Sequence, residues 1–90
     1  MLQVVPTNRF LKDSKLADRR GKDLQKLEAV ILLLAASSDL PDRLKDHALS
    51  GDWNHHRDCH IEPDWLLIYK VVSDELHLVR TGTHSDLFNR

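Results

Sequence analysis

The 90-residue sequence contains a single cysteine, no long apolar run and no marked excess of charge of either sign. One cysteine excludes an internal disulfide and fits a reducing compartment, so we expect a cytoplasmic protein. The longest apolar run, residues 29–36, falls far short of the roughly 20 residues that cross a bilayer as a helix. Residues 1–6 have neither a basic flank nor a long apolar region, and we therefore expect no signal peptide and no membrane partner.

The composition is otherwise that of a folded globular protein, with 41% hydrophobic and 30% charged residues. At this length we expect one domain, residues 1–90, with one core. The net charge is −1, yet residues 9–26 contain seven Lys or Arg and three Asp. Such a segment is suited to phosphate or to an acidic partner, and the alternative is a solvated helix face. The isoelectric point near 6.6 argues against a strong, sequence-independent nucleic-acid binder.

Two helices are predicted in the first half of the chain. A cap at Thr7 or Asn8 follows a short strand over residues 2–5, and it begins a thinly amphipathic helix that Gly21 ends. Apolar residues then recur every three or four positions over residues 24–35, which is typical of a second helix. The apolar face of this helical hairpin requires cover, and the strands that follow are the best available.

The second half of the chain reads as strands. Pro63 lies in a turn, because its fixed φ and missing N–H do not suit a ladder, and residues 65–72 return from it as a buried strand. Residues 76–81 form another strand, and Ser85 can cap a last helical stretch. The element order β-α-α-β-β-β predicts an α+β fold, with a small antiparallel sheet, a helical hairpin packed on it and a short C-terminal helical tail.

Ionisable groups from three segments could converge at the mouth of this hairpin. His60 and Asp64 flank the turn, His47 lies upstream in a turn-rich connector, Arg80 lies in the last strand, and His84 follows it. Imidazoles titrate near neutrality and can move protons, and a guanidinium suits phosphate. The path of the connector is unpredictable, so the sequence leaves open whether His47 reaches the other groups.

Several blocks of the sequence resemble the YafQ toxins of the RelE superfamily. These blocks are residues 45–49, 51–53, 57–70 and 80–88, and residues 19–27 add a weaker match. The most specific parts are His-x-Glu-Pro-Asp-Trp at residues 60–65 and Arg-Thr-Gly-Thr-His at residues 80–84. The resemblance implies a RelE-like fold and a metal-independent, ribosome-dependent mRNA endoribonuclease without cofactors, which is the toxin of a bacterial type II toxin–antitoxin pair. It implies as partners mRNA in the ribosomal A site and a DinJ- or RelB-like ribbon-helix-helix antitoxin, with operator DNA bound only through the antitoxin.

The resemblance also implies roles for six residues. It assigns acid–base catalysis to four of them and substrate binding to two: His47, His60, Asp64 and His84 are catalytic, Arg80 binds phosphate, and Phe88 lies near the RNA. RNA cleavage without a metal requires removal of the 2′-hydroxyl proton and protonation of the leaving 5′-oxygen, which imidazoles can perform. An ordinary carboxylate is a weak base at pH 7, so Asp64 can instead orient a histidine, and the sequence does not decide between these roles.

Each assignment has an alternative. Arg80 could form a surface ion pair with Asp64 or Glu62. The large aromatics Trp53, Trp65 and Tyr69 are expected in the core or at its rim rather than as RNA platforms. His56, Cys59 and His60 could hold zinc, but Cys59 would face away from both histidines in a strand.

The chain as a whole has two alternatives to catalysis. One is an inactive binding module that binds antitoxin and takes part in operon autoregulation, which the near-neutral isoelectric point favours. The other is a metal-binding regulator built on the histidine and cysteine cluster.

Overall fold

The computed structural model describes residues 1–88. Its strands and helices follow in the order β1 (Gln3–Pro6), α1 (Asn8–Arg19), α2 (Leu24–Ala35), β2 (His47–Ala48), β3 (Arg57–Glu62), β4 (Trp65–Val72), β5 (Glu75–Gly82) and α3 (His84–Phe88), with two 3₁₀ turns, Asp42–Leu44 and Gly51–Trp53. One sheet has the strand order β1-β5-β4-β3-β2. Within residues 1–88, no helix is long and apolar enough to span a membrane.

The predicted α+β fold is confirmed, and three details differ. β1 runs parallel to β5, because α1 and α2 lie between the two strands in sequence and allow a crossover, so the sheet is mixed rather than purely antiparallel. The connector contains the short strand β2, which pairs with β3. The last helix begins at His84 rather than after a cap at Ser85.

Local signals account for the helical hairpin. The Thr7 side chain caps α1 by accepting a hydrogen bond from the Phe10 N–H at 3.0 Å. The Asp23 carboxylate caps α2 in the same way, accepting from the Gln25 N–H at 3.0 Å. Gly21 between the helices has φ +81°, a left-handed conformation in which glycine avoids strain.

The helices cover one face of the sheet, where the main core lies. Its buried members come from both helices and the central strands, and include Phe10, Ala17, Leu27, Val30, Leu34, Trp65, Leu67, Tyr69, Leu76 and Leu78. β4 is apolar on both sides because it is central: Leu66 and Ile68 face away from the helices and form a second buried cluster with Leu87 of α3. This second cluster supports the face on which the histidines lie.

Helix α1 also protects an open edge of the sheet. β1 pairs with β5 only along residues 75–78, so the following part of β5 would present unpaired backbone groups. Thr7 Oγ1 donates to the Val79 carbonyl at 2.9 Å, and the Asp13 carboxylate accepts from the Thr81 N–H at 3.2 Å. Asp13, only 8% exposed, also accepts from Arg80 Nε and Nη2 at 2.9 and 3.0 Å. A buried ion pair therefore closes this edge.

Candidate active site

Three histidines from separate elements lie in a row. The ring centroids of His47 and His60 are 6.2 Å apart, and those of His60 and His84 are 5.7 Å apart. His47 is on β2 opposite Asp58 of β3, and His60 shares the face of Asp58 because alternate residues of a strand point to the same side. His84 reaches the row because α3 directly follows β5. The structure therefore brings His60 and His84 together, and it also brings in His47, whose position the sequence left open.

A buried carboxylate lies beneath this row. Asp58 is 2% exposed, and its Oδ1 lies 3.1 Å from His47 Nδ1. That nitrogen is closer to the Lys45 carbonyl, at 2.7 Å, so its proton is directed there and Asp58 Oδ1 has no hydrogen-bond donor among the described residues. Burial raises the pKa of Asp58, and the charges of the three nearby histidines partly oppose this rise.

Sequence reasoning missed Asp58. The signal available was its position two residues before His60, which places both side chains on one face of a strand. The sequence did not reveal its burial, because the second cluster on this face of the sheet combines β4 with Leu87 of α3, and this packing depends on the tertiary fold.

Asp64 holds His84 in place. One Asp64 oxygen, Oδ1, accepts from the His84 backbone N–H at 2.8 Å and lies 2.6 Å from His84 Nδ1. These hydrogen bonds lower the pKa of Asp64, so the carboxylate stays ionised. With a proton on Nδ1 directed at Asp64, Nε2 of His84 is left for proton transfer. The geometry favours an orienting role for Asp64 over that of a base.

A cavity of about 320 Å³ opens beside the histidine row. It combines imidazoles, apolar side chains and one buried carboxylate, and its lining residues are His47, Leu49, Ser50, Trp53, Asp58, His60, His84 and Phe88. The Phe88 ring lies 6.3 Å from the His84 ring and packs in part on the second cluster. Phe88 is thus half-buried, and it can still present a ring surface to a base in the cavity.

The structure places Arg80 outside the lining of this cavity. Its side chain, 16% exposed, pairs with Asp13, so the alternative of a surface ion pair with Asp64 or Glu62 is wrong. Glu62 binds Lys22 and Lys26 instead, at 3.2 and 3.0 Å. Arg80 Nη1 lies outside the pair with Asp13. The phosphate-binding role of Arg80 stays a prediction.

The remaining aromatic residues and histidines lie either in the core or at the surface near the cavity. Trp65 and Tyr69 are buried, as expected, and Trp65 Nε1 donates to Thr81 Oγ1 at 3.0 Å. Trp53 lines the cavity and meets His56 edge-on, with ring centroids 5.4 Å apart. His55, at φ +69°, and His56 bond to Asn54 and do not line the cavity.

The alternative zinc set of His56, Cys59 and His60 does not come together in the structure, but a different group of possible ligands does. Cys59 is fully buried in the main core, and burial raises the pKa of its thiol to about 12. Within the described part of the chain, His47, Asp58 and His60 offer ligand atoms that all lie within 4.8 Å of one another. Two imidazoles and a carboxylate suit zinc or copper. The Asp58 oxygen that lacks a hydrogen-bond donor, Oδ1, is the one that lies 3.1 Å from His47 Nδ1. These residues fit a metal ion.

The raised pKa of Asp58 predicts a pH-dependent cost of ionisation. Below the pKa of about 4 that Asp58 has in the unfolded chain, the side chain is protonated in both the folded and the unfolded state and does not change the free energy of unfolding. As the pH rises through the higher pKa of the folded state, the free energy of unfolding decreases. Asp58→Asn cannot ionise, so we expect the variant to gain stability over the wild type progressively as pH increases from about 4. Urea unfolding of both proteins across pH 4 to 7 measures this difference. A difference that does not change with pH contradicts the prediction.

Comparison with known proteins places the chain in a family. Residues 2–89 match the model described as the bacterial toxin of a type II toxin–antitoxin system, YafQ. The mRNA interferase toxin YafQ of Escherichia coli K12 is 47% identical over 83 residues, covering 91% of this chain and 90% of that protein.

Solved structures agree over nearly the whole length. YafQ in the E. coli DinJ–YafQ complex superposes with a TM-score of 0.89 at 44% identity, covering 98% of this chain and 99% of that one. A copper-bound mutant toxin from Helicobacter pylori superposes with a TM-score of 0.93 at 43% identity, covering 98% and 100%. The chain therefore belongs to the YafQ family of bacterial type II toxins, as the motifs around His60 and His84 predicted.

Proposed function

We propose that this chain is an mRNA interferase that cleaves mRNA in the ribosomal A site, as the toxin of a type II pair. The observation that carries the proposal is the row of His47, His60 and His84 beside one cavity. The E. coli relative, 47% identical to this chain over 83 residues, is itself named an mRNA interferase toxin. A group that takes a proton and a second group that gives one are the minimum for cleaving RNA with its own 2′-hydroxyl.

In the proposed reaction, the 2′-oxygen attacks the phosphorus and the bond to the 5′-oxygen breaks. One imidazole takes the 2′-hydroxyl proton, and another gives a proton to the leaving 5′-oxygen, which leaves a 2′,3′-cyclic phosphate. His47 and His84 each have Nδ1 engaged, by the Lys45 carbonyl and by Asp64, so each leaves Nε2 for proton transfer. The two outer imidazoles, one on each side of His60, can therefore each take or give a proton through Nε2.

The remaining assignments place the substrate. Phe88 stacks on a base in the cavity, and Arg80 neutralises charge on the phosphate through the part of its guanidinium outside the Asp13 pair. The reaction needs no cofactor in this assignment. A metal ion on His47, Asp58 and His60 would supply a Lewis acid, and it would take the nitrogen lone pairs that proton transfer requires.

The proposed dependence on the ribosome is explained by the small number of groups in the site, which offers imidazoles for proton transfer but few groups to bind and orient mRNA. The ribosome can hold mRNA in a reactive geometry, so the toxin need only add positioning and proton transfer. Four of the seven cations of residues 9–26 are paired with carboxylates, whereas Lys12, Lys15 and Arg19 have no ion pair within residues 1–88. These three side chains are exposed on α1 and suit ribosomal RNA phosphates.

The proposed inhibitor is a DinJ- or RelB-like ribbon-helix-helix antitoxin. DinJ forms a complex with the E. coli relative, whose structure this chain matches closely. An acidic segment of such an antitoxin would complement the basic surface of α1 or cover the cavity. Operator DNA would be bound only through the antitoxin.

Induced expression tests the proposal directly. We expect the wild-type chain to arrest growth of a bacterial host and to generate new mRNA 5′ ends in frame within translated messages. The same messages, purified and incubated with the protein without ribosomes, should remain intact. Cleavage on ribosomes should persist with a zinc-selective chelator that leaves Mg²⁺ in place. A folded wild type that arrests nothing and cuts nothing contradicts the proposal and favours the antitoxin-binding module.

A further inference from the structure

Helix α3 carries both His84 and Phe88, yet it is too short to hold its own shape. Its five residues lie far below the length at which a helix is stable in isolation, because nucleation costs more than so few hydrogen bonds return. The positions of both side chains therefore depend on the groups that tie α3 to the rest of the molecule. Leu87 in the second cluster and the Asp64–His84 bonds are two such ties.

A reciprocal cap forms the first turn of α3. The Asp86 N–H donates to Thr83 Oγ1 at 3.1 Å, and the Thr83 N–H donates to Asp86 Oδ2 at 3.0 Å. The Leu87 N–H closes the turn on the Thr83 carbonyl at 3.1 Å. Asp86 thus faces back onto the strand end instead of pointing into solvent.

Arg20, at the end of α1 and 66 positions earlier in the sequence, binds the Asp86 carboxylate. Its Nη1 donates to Asp86 Oδ2 at 2.7 Å, and its Nη2 lies 3.4 Å from Oδ1. Gly82 permits this approach, because a Cβ there would lie 2.9 Å from Asp86 Oδ2 and 3.0 Å from Asp86 Cβ. The cap of α3, the end of β5 and the end of α1 therefore meet at one carboxylate.

We propose that Arg20 and Asp86 are positioning residues, whose ion pair fixes α3 to α1 and so holds His84 and Phe88 against the cavity. The inference rests on the proposed function, because the position of His84 affects cleavage only if His84 takes part in it. Neither residue lines the cavity, so each acts through α3. The effect should appear in the cleavage step rather than in ribosome binding.

Arg20→Ala tests this role, with Arg20→Lys as the conservative variant and Gly82→Ala as a variant that displaces Asp86 without removing charge. Arg19→Ala is the matched control, since Arg19 is a neighbouring α1 cation with no ion pair within residues 1–88. Amide hydrogen exchange of Leu87 and the nuclear Overhauser contact between the His84 and Phe88 rings report on α3. Single-turnover cleavage on programmed ribosomes gives the maximal rate and the half-saturating concentration.

We expect Arg20→Ala to speed Leu87 exchange and to lower the maximal cleavage rate, each by about two- to five-fold, the range for a partly exposed ion pair. Arg20→Lys should recover part of both losses, and Gly82→Ala should reproduce them. Arg19→Ala should change only the half-saturating concentration. Unchanged Leu87 exchange and an unchanged maximal rate in Arg20→Ala and Gly82→Ala overturn the inference. If the wild type cleaves nothing, the proposed function fails, and Leu87 exchange alone decides whether the ion pair holds α3.

Discussion

Replacing His84 with Ala is expected to lower the rate of mRNA cleavage on the ribosome by at least about 100-fold, the usual contribution of one proton-transfer group. The orientation of the His84 imidazole is fixed by two hydrogen bonds, because Asp64 accepts from both its backbone N–H and its Nδ1. Removal of the ring leaves one side of the reaction without its proton carrier. Single-turnover cleavage of mRNA in programmed ribosomes measures the loss, and growth arrest on induction should disappear with it.

The controls for His84→Ala separate chemistry from folding. His77 of β5 bonds Glu75 at 3.0 Å and does not line the cavity, so His77→Ala should retain cleavage while losing an imidazole from the same segment of chain. Asp64→Asn should cost less than His84→Ala, because the ring remains and only its orientation and charge environment change. Cleavage by a folded His84→Ala variant within about three-fold of wild type would remove His84 from the reaction, whereas loss of a proton-transfer group costs at least about 100-fold.

Replacing Asp13 with Ala is expected to destabilise the fold by about 3 kcal/mol, the range observed when one partner of a buried ion pair is removed. The Arg80 guanidinium, 16% exposed, would lose both of its bonds to Asp13, and the Thr81 N–H at the sheet edge would lose its acceptor. For a domain of this size the loss corresponds to a fall in Tm of about 15 °C. Thermal unfolding followed by circular dichroism measures it.

Two further variants test this explanation of the Asp13 effect. Asp18 is an exposed carboxylate on the same helix, and Asp18→Ala should change stability by no more than about 0.5 kcal/mol. The double variant Asp13→Leu with Arg80→Met replaces the pair with apolar side chains and should recover most of the lost stability, since no charge is left buried without a partner. An Asp13→Ala variant as stable as Asp18→Ala would show that the pair contributes nothing.

Much of the fold was predictable because its signals are local. Thr7, Gly21 and Pro63 act through backbone conformation and capping within a few residues, so the helical hairpin and the turn between β3 and β4 follow from short stretches of sequence. The strand β2 was not predictable, since its two residues form a strand only by pairing with β3. The parallel pairing of β1 likewise depends on β5, whose partner residues lie 72 positions later.

In the candidate site, too, some features were predictable from short stretches of sequence and others depend on contacts between distant segments. His60, Asp64 and His84 lie in motifs that identified the family, and the structure brings His60 and His84 together with His47. Asp58 was missed because a carboxylate in a strand is normally solvated, and its burial depends on the elements that cover it. The alternative partners weighed for Arg80, Asp64 and Glu62, belong to the neighbouring hairpin, whereas its actual partner Asp13 lies 67 positions away on α1.

The sequence by itself determined the family, the helices and the β3–β4 hairpin, and the residue types available for proton transfer, because motifs, caps and apolar periodicity are properties of neighbouring residues. Only the tertiary structure decided which of those side chains meet. It set His47 beside His60, buried Asp58 beneath them, tied Arg80 to Asp13 and fixed α3 through Arg20. Each of these contacts joins segments whose separation in space depends on strand register and chain crossovers, and these are set by packing of the whole sheet against its helices.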